Sequence, residues 1–148
     1  MENILGIHIS NSHLELVQEI GTILFAEFPT TILYFDTNNN LVIKEWADCS
    51  DDGLTDRYFY YKTDKINVAR FLSNKQTHLD LIRNSVDGLA YFQDKSVEKT
   101  SDFTILSVNK IPSSYLPSSS FTLKKTDIVD FVKIDEILEL NKVDINID

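Results

Sequence analysis

Cysteine, glycine, proline and positive charge are all scarce in this 148-residue chain, and each scarcity removes a class of protein. A single cysteine, Cys49, closes no internal disulfide and supplies no multi-thiolate metal site, so a stapled secreted scaffold is excluded. Four scattered glycines, at 6, 21, 53 and 88, build neither a collagen-like repeat nor a phosphate cradle. No P-loop, G-x-G-x-x-G or G-x-S-x-G pattern occurs. Fourteen Lys and Arg stand against 23 Asp and Glu, a formal net charge of −9, and only Lys124 and Lys125 are adjacent. That balance disfavours direct contact with nucleic acid or an anionic membrane surface, and leaves open an acidic surface that attracts a basic partner. No apolar run approaches the ~18 residues of a membrane span. The start, Met1–Glu2–Asn3, lacks a basic leader followed by an apolar stretch, so the expected location is the cytoplasm.

What is present is enough for one folded domain, expected over residues 1–148. Hydrophobic residues make up 43% of the chain and aromatics 11%, far from the composition of a disordered acidic tail. Eleven Lys against three Arg, with abundant Asn and Ile, fits AT-rich coding and a bacterial or phage source.

The first half of the chain reads as strands. His13–Ile20 alternates apolar and polar residues except at Val17, Ile23–Phe28 follows a corner at Gly21, and Pro29 stops that run. Thr31–Phe35, the turn-forming Asp36–Asn40 and Leu41–Trp46 make the clearest hairpin. Arg57–Thr63 (RYFYYKT) reads as a strand with both faces at least partly covered. In the middle, Asp64 caps a helix running to about Leu72 with Ile66, Ala69 and Leu72 inward. Thr77–His78–Leu79–Asp80 matches a capping-box variant and opens a short helix through about Arg83 with Leu79 and Ile82 buried. Leu89–Gln93 and Phe103–Val108 read as strands, Ile111–Ser120 as irregular, and Phe121–Lys124 as a short strand. Apolar residues at 128, 131, 134, 137 and 138 place a helix over 127–140, ended by Asn141, and Val143–Ile147 alternates like a terminal strand. This order predicts an α+β domain. Its mainly antiparallel twisted sheet has about five to seven strands, with two short central helices and a C-terminal helix on one side.

No constellation in the sequence marks a catalytic or metal centre. Asp48–Cys49–Ser50–Asp51–Asp52–Gly53 opens like a calcium loop, but the twelfth position, where a bidentate Glu is needed, is Phe59. A solvated acidic turn is the simpler reading. His8, His13 and His78 form no converging ligand pair, and His78, at the first turn of a short helix, is expected to face solvent. Cys49 lies among carboxylates, which oppose thiolate formation. The run Tyr58–Phe59–Tyr60–Tyr61 has only Arg57 and Lys62 close in sequence, too little positive charge for a single-strand stacking platform, and suits core packing plus a protein-contact surface.

Three stretches resemble a family of small bacterial proteins classed only as a domain of unknown function. They are Leu41–Asp48 (LVIKEWAD), the segment from Tyr58 through the helices to Asp87–Gly88–Leu89–Ala90–Tyr91, and Ile111–Pro112–Ser113–Ser114–Tyr115–Leu116–Pro117. The resemblance covers roughly residues 12–123. It implies a small α+β module of bacteria and their mobile elements and brings no activity, cofactor or catalytic residue. The C-terminal helix, about 126–141, lies beyond it.

The resulting expectation is a non-enzymatic interaction or regulatory module with no cofactor and no metal, whose partner is another protein. Trp46, Asp48, Asp51, Asp52 and Asp56 are the candidate contact residues, because five acids (Glu45 included) and no base crowd the twelve residues 45–56. Two alternatives stand beside it. One is an acidic inhibitor that mimics nucleic-acid charge, which requires carboxylates aligned on one face. The other is a hydrolase whose site leaves no motif, which requires a pocket with a carboxylate beside a histidine.

Overall fold

The computed structural model describes residues 1–146, apart from the side chains of Pro29 and Lys125. Seven antiparallel strands form one sheet: β1 (Ile7–Ile9), β2 (Leu16–Ala26), β3 (Phe28–Asp36), β4 (Leu41–Cys49), β5 (Thr55–Thr63), β6 (Leu89–Ser96) and β7 (Phe103–Ser107). Their spatial order is β1-β7-β6-β5-β4-β3-β2. Strands β2 to β5 are therefore a meander, β6 and β7 are a hairpin, and the helices α1 (Lys65–Leu72) and α2 (His78–Arg83) bridge β5 to β6. Helix α3 (Phe131–Leu138) packs beside β2.

The expected β3–β4 hairpin is present, and its turn chemistry explains it. Asp36 Oδ1 accepts the backbone N–H groups of Asn38 and Asn40 at 2.8 and 2.9 Å, and Asn39 adopts a positive φ of 61°. Strand β2 departs from expectation: it runs through Gly21 without a break, and residues 11–13 form a 3-10 turn instead of a strand start. The β2–β3 register shifts at four places, and each bulge slips the in/out phase that a strict two-residue period assumes. The chain turns at Glu27, with φ 64°, and Pro29 lies inside β3. It falls beyond the β3–β4 ladder, which begins at Thr31, so its missing N–H costs no bond there. The short edge strand β1 carries too few residues for a periodic signal.

Both central helices begin where their caps place them. Asp64 Oδ1 accepts Asn67 N–H at 2.9 Å, and Thr77 Oγ1 accepts Asp80 N–H at 3.1 Å. In α1 the buried residues are Val68, Ala69, Phe71 and Leu72, while Ile66 is 39% exposed, correcting the expected inner stripe. A spacing of three falls about 60° short of a full turn at each step, so Ile66 rotates off the face that Leu72 occupies. His78 is buried, not solvent-facing, because its ring meets the buried Glu45 carboxylate.

The expected 127–140 helix is broken. Lys125–Asp127 is a 3-10 turn, α3 starts at Phe131, and Glu139 ends it in the left-handed conformation, φ 53°, two residues before Asn141. Residues 129 and 130 instead pair with the outer edge of β2. Val129 N–H donates to the Ile23 carbonyl at 3.2 Å and Asp130 N–H to the Thr22 carbonyl at 3.0 Å, while Asp130 Oδ2 accepts Thr22 N–H at 2.8 Å. An exposed sheet edge left free invites pairing with other chains, and these contacts cover it. Residues 121–124 and 143–146 form no strand; Ile147 lies outside the described residues.

All three helices cover the same face of the sheet. Ile20, Leu33, Ile43, Phe59 and Phe92 meet Val68, Phe71, Leu81, Ile82 and Ile134 in the main core. A smaller cluster, Leu14, Val42, Tyr60, Tyr91 and Phe103, lies on the opposite face, where Leu14 comes from the segment before β2. At roughly 1.5–3 kcal/mol for each large side chain buried, the helix-covered face, with the larger cluster, dominates stability.

Candidate functional site

The meander brings the β2–β3, β4–β5 and β6–β7 turns to one end of the sheet. Their tips expose apolar side chains: Phe25 (56%) and Phe28 (39%) on the first, Leu54 (68%) on the second and Val97 (100%) on the third. Trp46 joins them on the uncovered face. Phe28 packs its ring edge-on against the indole at 5.3 Å, and Trp46 Nε1 donates to Asp56 Oδ1 at 3.1 Å. Exposed Glu27, Asp51, Asp52 and Glu98 surround these tips with carboxylates.

The five sequence-nominated residues thus gather at one end without forming one continuous surface. Trp46 and Asp56 are joined on the uncovered face. Asp51 and Asp52 are exposed at the β4–β5 tip, where Asp52 Oδ1 accepts the Ser50 hydroxyl at 2.6 Å and Leu54 N–H at 3.0 Å. Those two bonds hold the Asp52 carboxyl below its ordinary range. Gly53, at φ 72°, supplies the left-handed step of the same turn. Asp48 turns to the helix-covered side, where it accepts the Tyr115 hydroxyl at 3.0 Å. Tyr115 in turn accepts from Arg57 at 3.2 Å, and Arg57 forks onto Asp94 at 2.8 and 3.1 Å, which raises the guanidinium pKa further. Among the described residues, other exposed acids lie at the start of β2 and along it (Glu15, Glu19), at the helix caps and exteriors (Asp64, Asp80, Glu136) and at the turn tips.

A second cluster escaped the sequence reading. Glu45 and His78, 4% and 7% exposed, touch through Oε2 and Nε2 at the wall of a cleft of about 210 Å³ that also reaches Thr30, Trp46 and Tyr115. Thr31 donates its hydroxyl to Glu45 Oε1, and Tyr61 donates to Oε2 at 3.2 Å. Burial, and then the neighbouring Glu45 carboxylate, push the Tyr61 phenol well above its ordinary pKa. The His78 ring lies between Phe71 and Phe121, 5.2 and 6.1 Å away. Three protein donors therefore engage both Glu45 oxygens, and the first turn of α2 is pinned to the middle of the sheet. A carboxylate–imidazole pair is also the core of a general acid–base site, and here three of the carboxylate's roughly four acceptor sites are already engaged within the fold. The sequence signal was the two-residue period of Leu41, Ile43 and Glu45, which puts a carboxylate on the buried face; Val42, Lys44 and Trp46 repeat the same pattern on the other face and masked it.

On the uncovered face, cations lie along tyrosines. The Lys44 amine sits 4.2 Å from the Tyr58 ring centroid, Lys62 5.8 Å from Tyr91 and Lys95 6.0 Å from Tyr60. Burial, reinforced by Lys95, pushes the Lys44 ammonium down to about 8 against the pull of Glu19 and Asp56. Burial lowers Lys95 too. Among the described residues, no three His, Cys, Asp or Glu side chains gather as a metal site, and no helix is long and apolar enough to cross a membrane. Compared with family models, curated proteins and solved structures, the chain matches none.

Proposed function

We propose that this protein is a non-enzymatic interaction module of bacterial or phage cytoplasm. In this reading it docks another protein, without a cofactor, through the three-turn end of its sheet. The observation that supports this is the set of exposed apolar tips at that end, Phe28 packed on Trp46 and Leu54 with Val97 lining one hollow, among exposed acids. Exposed apolar groups collected in one place are characteristic of contact surfaces, and a half-buried Trp at such a patch is a typical energetic anchor. The acidic border selects a partner whose contact patch is apolar with basic surroundings.

The test is capture of tagged protein from its native cell with mass-spectrometric identification. It is repeated with L54D/V97D, with D51K/D52K, and with K133E on exposed α3 as a control. One protein retained by wild type and K133E, and lost from both tip variants, is the expected result. A partner held equally by all four removes the reading.

A second reading, hydrolysis in the cleft, is favoured by the contact of Glu45 with His78. Saturable ester hydrolysis that disappears in His78→Gln would support it. A wild-type rate no faster than that of imidazole in solution would end it.

A further inference from the structure

We propose that the hollow over Tyr60 on the uncovered face binds a small organic carboxylate, with Lys95 as its counter-ion. This goes beyond the docking role and does not depend on it. The hollow measures about 260 Å³. One wall is the segment before β2, with Asn11, Leu14 and Leu16; the other is Thr100 in the β6–β7 loop, and Phe103 and Gln93 complete the floor beside Tyr60.

The floor is held in place by its own hydrogen bonds. Tyr60 donates to Gln93 Oε1 at 3.2 Å, and Gln93 Nε2 donates to the Ser101 carbonyl at 3.2 Å. The wall is tied down where Asn11 N–H donates to Asp102 Oδ1 at 3.1 Å. The amide and phenol of the floor are thus already engaged, which leaves Lys95 as the charged group lining the hollow.

Lys95 and its neighbour Lys44 are both half-buried, yet neither takes part in any ion pair among the described residues. Withdrawing a cation from water without a direct counter-ion contact is costly. Asp56, directly across the ladder from Lys95, makes no ion pair with it and accepts the Trp46 indole N–H instead. An anion entering the hollow gains the direct contact with Lys95 that no carboxylate among the described residues makes.

Size and lining set the class of ligand. Drug-sized ligands occupy clefts of roughly 300–1,000 Å³, so this hollow suits something smaller, such as a single aromatic or branched aliphatic body. Leu14, Leu16 and Phe103 supply the apolar contact for that body, and Lys95 receives the carboxylate.

The test is titration of isotope-labelled protein with phenylacetate and with its neutral isostere phenylacetamide, followed by NMR. Expected are saturable shifts centred on Leu14, Lys95 and Phe103 with phenylacetate, binding of the amide weaker by about tenfold, and a similar loss for phenylacetate in K95M. K95M alters an accessible side chain, and unchanged resonances on the helix-covered side certify its fold. Equal binding of acid and amide, undiminished binding to K95M, or no saturation by about 10 mM phenylacetate overturns the proposal.

Discussion

Replacing Glu45 by alanine removes the acceptor that Thr31, Tyr61 and His78 share. Tyr61 is 0% exposed, so its hydroxyl cannot turn to bulk water once the carboxylate is gone. Thr31 and His78 border the cleft and have water within reach. The stranded donor costs about 1–3 kcal/mol, offset in part because a desolvated carboxylate also leaves the interior. Breaking one side of a buried pair ordinarily costs about 3–5 kcal/mol, and Glu45→Ala is expected in that range. For a chain of about this length each kcal/mol lowers Tm by roughly 2–4 °C, so the fall should be on the order of 10 °C. The assay is urea unfolding at pH 7 with the m-value checked for constancy. Glu45→Met combined with His78→Leu should lose less than the two single changes added together, by about 1 kcal/mol or more, because removing both partners leaves fewer unpaired groups. A Glu45→Ala loss under about 1 kcal/mol, or strictly additive losses in the cycle, would refute the view that this pair pins α2 to the sheet.

Gly21→Val should destabilise by about 1–3 kcal/mol. A Cβ at Gly21 would lie 2.9 Å from Ile134 Cγ1 and 3.0 Å from Asp130 Cβ, forcing α3 off the β2 edge; hydrogen exchange at Val129 and Asp130 should quicken with it. The pH dependence of stability should have a maximum on the alkaline side. Lys44 titrates near 8 when folded against an ordinary 10.5, so its charged form burdens the native state below pH 8, and stability rises as pH climbs from about 8 towards 10.5. Tyr34, lifted to about 12 by burial and Glu19, and Tyr60, Tyr61 and Tyr91, raised first by burial, act in reverse. They favour the native state below their ordinary value of 10, and that contribution is lost as pH rises beyond it. Urea midpoints measured from pH 7 to 11 should therefore climb and then fall, with the climb reduced in Lys44→Met; a steady decline from pH 7 would contradict this sign.

Local chemistry was the legible part of the fold. The Asp36–Asn40 turn and the Asp64 and Thr77 caps are decided by side chains bonding to backbone two to four residues away, and those read directly from sequence. Strand β2 was not legible as one element, because its bulges break the period on which strand recognition depends. The helix over 127–140 failed at its start for a tertiary reason: residues 129 and 130 gain more by covering the edge of β2 than by adding a turn to α3. At the candidate site, the crowding of Trp46, Asp51, Asp52 and Asp56 near one turn was visible. Its apolar half was not, since Phe28, Leu54 and Val97 are separated in sequence and come to one end of the sheet through the order of the strands. His78 looked like a surface residue because a six-residue helix has too little periodicity to show which side faces the sheet. The buried carboxylate that receives it lies thirty-three positions earlier.

The central claim, docking at the three-turn end, is tested most directly by hydrogen–deuterium exchange on the complex with the captured partner. The account predicts slowed exchange confined to residues 25–30, 46–56 and 95–100, with α3 and the outer surfaces of α1 and α2 unchanged. Protection concentrated on the helices, with the three turns exchanging as in the free protein, would contradict it.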